Sequence, residues 1–250
     1  MVPHGCVAAL MDENVSFLVL LGFGADGWGW ALIDAAALTL AVSLAAMAIG
    51  TVLGAALTAA QASRWPWLAR LALIYGLALR GVPELLVVLL LYFGAPGLLA
   101  SLAALFGLAA PGSPPAFLTG SLAIGLVSAA YQAEVFRGGL LAVPRGQVEA
   151  AMAAGMGPFT RFARVIAPQV LHRVLPPLGN IWQFNLKDSA LVSITGLAEL
   201  MRVSLVAAGS TRRPFVFFAA AMVLYLVLTS ASSALFRVVE RRGQRWAGGR

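Results

Sequence analysis

Lysine is all but missing from this sequence: Lys187 is the only one, and no G-x-x-x-x-G-K-[ST] run occurs. The chain therefore lacks the backbone cradle and lysine with which a P-loop grips nucleotide phosphates. The single cysteine, Cys6, excludes an intrachain disulfide and a cysteine-based metal cluster. The two histidines, His4 and His172, lie too far apart for a two-histidine metal motif, and no Ser/His dyad sits within an apolar run. Charge is scarce too: 11% of residues are charged and 60% are hydrophobic, against about 25% and 45–50% in an ordinary soluble domain. Residues 1–30 contain neither lysine nor arginine, only Asp12, Glu13 and Asp26. Without a basic n-region a cleaved signal peptide is not expected.

What is present is apolar length. The mean hydropathy is +0.89, and a bilayer core of about 30 Å needs about 20 helical residues to cross, so 250 residues hold several spans and little soluble mass. We expect an all-α integral membrane protein with a five-span helix bundle. Ala35 to Ala62 is free of charge and makes span one. The second starts near Leu71, is interrupted by Arg80, Gly81, Val82, Pro83 and Glu84, and continues from Leu85 to about Leu108; proline removes a donor, so this reads as one bent span. Pro96, Gly97, Pro111, Gly112, Ser113, Pro114 and Pro115 mark an uncharged turn region. Span three follows from Phe117 to Phe136, span four from about Leu178 to Leu200 with Lys187 and Asp188 in its middle, and span five from Phe215 to Phe236.

Arginines choose the orientation. Arg64 and Arg70, then Arg137, Arg145, Arg161, Arg164 and Arg173, then Arg237, Arg241, Arg242, Arg245 and Arg250 all fall on one side of this five-span plan. Only Arg202, Arg212 and Arg213 fall on the other. Positive loops stay in the cytoplasm. The net charge of +7 thus reads as topology, not as a nucleic-acid surface, and no nucleic-acid partner is expected. Residues 1–30 are expected outside, 31–242 form the transmembrane domain, and 243–250 are a cytoplasmic tail.

One stretch does not read as lipid-embedded: EAAMAAGMGPFTRFARVIAP, Glu149 to Pro168. Residues 146–154 favour helix, Gly155 and Gly157 permit a sharp turn, and Pro158 suits the first turn of a second helix. This predicts a cytoplasmic helix-turn-helix, about residues 142–168, between spans three and four. Phe159, Phe162, Ala163 and Ile166 share helical spacing, so that face is expected to grip the bundle while Arg161 and Arg164 point elsewhere. Ala150, Ala151, Ala153 and Ala154 keep the first helix slim enough for a partner's close approach. The alternative is an amphipathic helix lying on the membrane surface.

Glu149-Ala150-Ala151, three residues, Gly155, nine residues, then Val165-Ile166-Ala167-Pro168 resembles the EAA loop of permease subunits of bacterial ABC importers. Val165 and Ala167 depart conservatively from that family's closing pattern. RGVPE at Arg80 to Glu84, YQAEVFRGGLLAVPRGQVEAA at Tyr131 to Ala151, LKDSALVSITGLAEL at Leu186 to Leu200 and ERR at Glu240 to Arg242 extend the likeness over about residues 35–242, within the polar amino-acid permeases. LGFGADGWG at Leu21 to Gly29 and AGSTRRPFVFFAA at Ala208 to Ala220 look most like subunits for histidine, lysine/arginine/ornithine or opines. The resemblance implies a non-catalytic permease in a bacterial inner membrane, with ATP and Mg bound by a partner ATPase and no cofactor or metal in this chain. It implies as partners an ABC ATP-binding subunit, a second permease (a homologue or a copy of this chain), an extracytoplasmic solute-binding protein and the surrounding lipid. It assigns the ATPase contact to Glu149, Ala150, Ala151, Gly155, Met156, Gly157 and Pro168, with Glu149 and Gly155 central. A scaffold, or an intramembrane enzyme without a motor partner, is the competing class.

An ionised side chain at a helix centre costs about 2.5–3.5 kcal/mol on insertion scales, so it normally faces protein, water or a ligand. Candidate pathway residues are Arg80, Glu84, Gln183, Asn185, Lys187 and Asp188. Arg80 and Glu84 are four apart and either pair with each other or line a pathway beside Pro83. Lys187 and Asp188 point apart on a helix and seek other partners. Glu134 is expected to pair with Arg137. Gln183 and Asn185 either meet ligand or tie helices together, Asp34 and Glu199 lie near solvated span ends, and Gly50 and Gly54 at GxxxG spacing mark close helix packing.

Overall fold

The computed structural model describes residues 17–25, 27–105 and 115–247, and among these every regular element is helical. In chain order they are α1 (Phe17–Leu20), α2 (Gly29–Gln61), α3 (Pro66–Gly81), α4 (Glu84–Leu89), α5 (Ala95–Leu105), α6 (Ala116–Leu141), α7 (Arg145–Ala153), α8 (Pro158–Arg161), α9 (Ala167–Asp188), α10 (Leu200–Thr211) and α11 (Pro214–Ala247). π-helical turns join α4 to α5 and α8 to α9, and a 3₁₀ segment, Ser189–Thr195, extends α9. Residues 1–16, Asp26, the 106–114 end of the second apolar region with most of its turn, and residues 248–250 lie outside the described residues.

Among the described residues three helices are long and apolar enough to cross a membrane unaided: Gly29–Gln61, Ala116–Leu141 and Pro214–Val238. The other two expected spans differ from plan. The second is two helices bent by 107°, because Val82 is extended (φ −101°, ψ 136°) and Pro83 follows it. The expected Leu178–Leu200 helix instead begins at Ala167. It stops where Gly196 takes φ 85°, and a new helix starts at Leu200, bent by 53° from the first. Lys187 and Asp188 close α9, just before the 3₁₀ segment. Five spans result only if each bent pair counts as one. Span one also starts earlier than charge suggests. Asp34 lies in the second turn of α2 and is exposed.

The chain forms two compact units. Unit 1 comprises residues 1–44, 88–121 and 186–229; unit 2 comprises 45–87, 122–185 and 230–250. In unit 1, buried Trp28, Leu32, Ala35, Leu200, Ala207, Phe217 and Ala221 make the core, with the Trp28 and Phe217 rings edge-to-face at 6.1 Å. In unit 2, Val174, Leu178 and Ile181 pack with Met47, Val135, Phe136 and Val170. Lipid tails are as apolar as these side chains, so association rests on close packing and hydrogen bonds more than on escape from water. Gly54 shows the first: a Cβ there would lie 3.0 Å from Gln132 Cβ and 3.1 Å from the Ala129 carbonyl oxygen.

Candidate functional site

The α7–α8 elbow is set by backbone chemistry. α7 ends as the Gly155 N–H donates to Met152 O at 2.9 Å and the Met156 N–H to Ala151 O at 3.0 Å. This is the paired bonding of a Schellman cap, which needs a left-handed residue between them. Gly155 supplies it at φ 74°. Gly157 (φ −61°, ψ 160°) then turns the chain extended, and Pro158 opens α8, where its missing N–H has no partner to lose. Pro168 lies in the first turn of α9, after a π turn at Phe162–Ile166. A proline ring clashes with the carbonyl four residues back, and the wider turn, closed by Ala167 N–H to Phe162 O, gives that carbonyl room.

The elbow shows its apolar side chains. Phe159 is 83% exposed and Phe162 50%, so the face expected to grip the bundle does not do so. α8 is a single turn followed by the π turn, and the extra residue per turn rotates the expected stripe out of register. Glu149, Ala150, Gly155 and Gly157 are exposed, Met156 is half-buried, Pro168 is exposed, and Ala151 is buried. The elbow is thus a capped turn with part of its apolar surface exposed.

Among the candidate pathway residues, Arg80 and Glu84 are not joined by an ion pair. The break at Val82 and Pro83 destroys the i,i+4 geometry on which that pair depended. Arg80 Nη2 instead lies 3.3 Å from Glu134 Oε1, and its Nε donates to Gly76 O at 2.9 Å. Arg137 Nη2 meets the other Glu134 oxygen at 2.7 Å, the expected short-range pair. Glu134 thus holds two guanidinium groups.

Asn185 and Gln183 tie helices in unit 2. The Asn185 amide donates to Ser128 Oγ at 3.1 Å and the Gln183 amide to Ser233 Oγ at 3.1 Å. Ser128 Oγ also accepts from the buried Gln132 amide at 3.0 Å, and Thr51 Oγ1 donates to Gln132 Oε1 at 2.8 Å. Lys187 is exposed and Asp188 half-buried.

Glu199 contradicts its expected solvation: it is fully buried in unit 1. It is the N-cap of α10, accepting from the Met201 N–H at 2.9 Å and the Arg202 N–H at 2.8 Å. Tyr225 Oη donates to it at 3.2 Å, while Thr39 Oγ1 lies 3.5 Å away and accepts the Leu200 N–H at 3.1 Å. Gly196 and an acid before an apolar run signal a helix start that could have been read, although glutamate is not among the usual N-cap residues. Its partners on α2 and α11 could not. Among the described residues no group of three His, Cys, Asp or Glu is arranged to hold a metal ion.

These features describe a helical protein with apolar spans and a capped, exposed elbow. Residues 50–245 match the family described as the binding-protein-dependent transport system inner membrane component. The chain belongs to that family, and it is a permease, not an enzyme. It is 48% identical over 231 residues to the octopine transport system permease protein of Rhizobium meliloti, covering 92% of this chain and 98% of that protein. It is 34% identical to the arginine ABC transporter permease protein of Escherichia coli K12, covering 86% and 95%. A solved amino acid ABC transporter with histidines superposes with a TM-score of 0.76 at 32% identity, covering 92% of this chain and all of that one.

Proposed function

We propose that this permease carries a basic amino acid or an opine, and that its elbow receives the motion of a separate ATPase. The single observation that carries the substrate class is the 48% identity to an octopine permease along almost the whole length of both chains. Opines and basic amino acids share an α-carboxylate and a cationic group, which accounts for one scaffold serving both. The elbow supports the coupling reading because its cap fixes Gly155 and leaves Glu149, Ala150 and Phe159 on the surface.

In this proposal residues 1–30 and the tail lie on opposite sides of the membrane, with the tail and elbow cytoplasmic. ATP and Mg reside in the ATP-binding subunit, and a solute-binding protein delivers ligand on the other face. A second permease, homologous or identical, completes the pathway. Closure of the ATPase pair displaces α7 and α8, and the rigid cap passes that displacement to α6 and α9. Arg80, Glu84, Lys187 and Asp188 are the proposed pathway charges; Gln183 and Asn185 act as ties between helices.

The test is purification of tagged chain from its native membrane in mild detergent, with every bound protein identified, followed by uptake of labelled arginine and octopine in proteoliposomes. A co-purifying P-loop ATPase and ATP-dependent uptake of at least one of the two solutes are expected. With the solute-binding protein supplied, an intact complex that moves neither would overturn the substrate class, and the absence of any ATPase would overturn the coupling role.

A further inference from the structure

α2, α11 and the residues just before α2 line an open apolar groove of about 580 Å³ within unit 1. Its wall includes Phe23, Leu32, Ile33, Phe215, Ala219 and Val223, and every lining residue is apolar or glycine. Both helices contribute their first turns, so the groove opens where two spans begin. From Phe215 to Leu224 a helix rises about 13 Å, close to half of a bilayer core of about 30 Å. The groove is therefore one leaflet deep. Beyond it the α11 surface is filled by the large exposed side chains Leu226 and Val227, so a second transmembrane helix would not find the slot continued.

Residues next in sequence to its lining have an interfacial character. The Phe23 and Trp30 rings meet edge-to-face at 5.1 Å, and Trp30 is 63% exposed, as suits the headgroup level. Arg212 stands exposed three residues before Phe215, at the end of α10. Its backbone is left-handed (φ 54°, ψ 26°), a place glycine usually fills, so an arginine sits here against its own backbone preference. Among the described residues the groove wall carries no acid; Asp34 is exposed one residue beyond Ile33.

We propose that this groove and Arg212 bind one anionic phospholipid, an acyl chain lying between α2 and α11 and the headgroup phosphate at the guanidinium. The inference rests on the membrane-spanning assignment of those two helices and not on the substrate class.

Native mass spectrometry of the chain, purified with its accompanying subunits, tests this. Wild type and a Val227→Trp control should each retain one phosphatidylglycerol, and Val223→Trp, which fills the groove from an exposed position, should retain none. Arg212→Gln should lower retention about fivefold, the loss expected of one interfacial arginine. This variant leaves the groove intact, so a misfolded tryptophan variant would not decide the result. After delipidation, phosphatidylglycerol should rebind better than phosphatidylethanolamine, and inorganic phosphate should not displace it. Equal retention in wild type and Val223→Trp, equal binding of the two lipids, displacement by phosphate, or a Val223→Cys disulfide between two copies would each overturn the proposal. Uptake assays do not enter the result.

Discussion

Tyr225 on α11 donates its phenolic hydrogen to Glu199 at 3.2 Å, and Glu199 at the same time caps the first turn of α10. One buried carboxylate thereby joins a helix start to a neighbouring helix, and through Thr39 to a third, 160 residues away.

Glu199→Ala leaves two helix N–H groups and the phenol without an acceptor, so it should destabilise the protein by about 1–3 kcal/mol. Glu199→Gln keeps a side-chain oxygen at the cap and should lose less. Tyr225→Phe removes one bond and should cost about 1 kcal/mol. Thermal unfolding in detergent measures all three. A Glu199→Ala protein that melts with wild type would show that the cap does not hold α10.

The elbow separates backbone strain from charge. A Cβ at Gly155 meets open space, and only φ 74° restricts the position. Asparagine tolerates that conformation, whereas a β-branched residue there is strained by about 1–2 kcal/mol or more. Gly155→Asn should therefore bind the ATPase nearly as wild type does, and Gly155→Val should bind it poorly. Gly155→Asp, close in shape to Asn, isolates the effect of a negative charge and should insert normally while losing transport. Pull-down of the ATPase alongside uptake distinguishes the three. Normal uptake by Gly155→Asp would remove the elbow from the coupling step.

Two helical glycines should respond in opposite directions. At Gly54 a new Cβ would press on backbone atoms of Ala129 and Ala133 at 3.1 and 3.2 Å, so Gly54→Ala should cost about 1–3 kcal/mol, as overpacking does. Gly138 on α6 has nothing within 4 Å of a Cβ. Gly138→Ala should therefore gain about 0.5–1 kcal/mol from helix propensity alone. Paired melting curves give the sign of each. Equal shifts would mean that α2 and α6 do not approach as closely as the distances indicate.

Features that depend on neighbours in sequence were open to reading without coordinates. The apolar runs declare lipid as solvent. Gly155 and Pro158 declare a turn between two helices, because left-handed backbone and a missing donor are properties of single residues. Glu134 and Arg137, three apart on an unbroken helix, find each other for the same reason. The family likeness came from motif spacing and survives any error in span boundaries.

Only the tertiary structure decided who meets whom. Helices such as α2 are apolar on all sides, so no stripe tells which face packs and which faces lipid. Arg80 was within reach of Glu84 on paper and within reach of Glu134 in space, because a two-residue break redirected the chain. The same physics turned an expected 178–200 span into two helices at Gly196 and made the Glu199 carboxylate a buried cap rather than a solvated end. Composition and local backbone chemistry determined a helical membrane chain with an elbow, and motif spacing supplied its likeness to permeases. Long-range packing, where a polar group in lipid must find a partner wherever the fold supplies one, decided which polar residues hold it together.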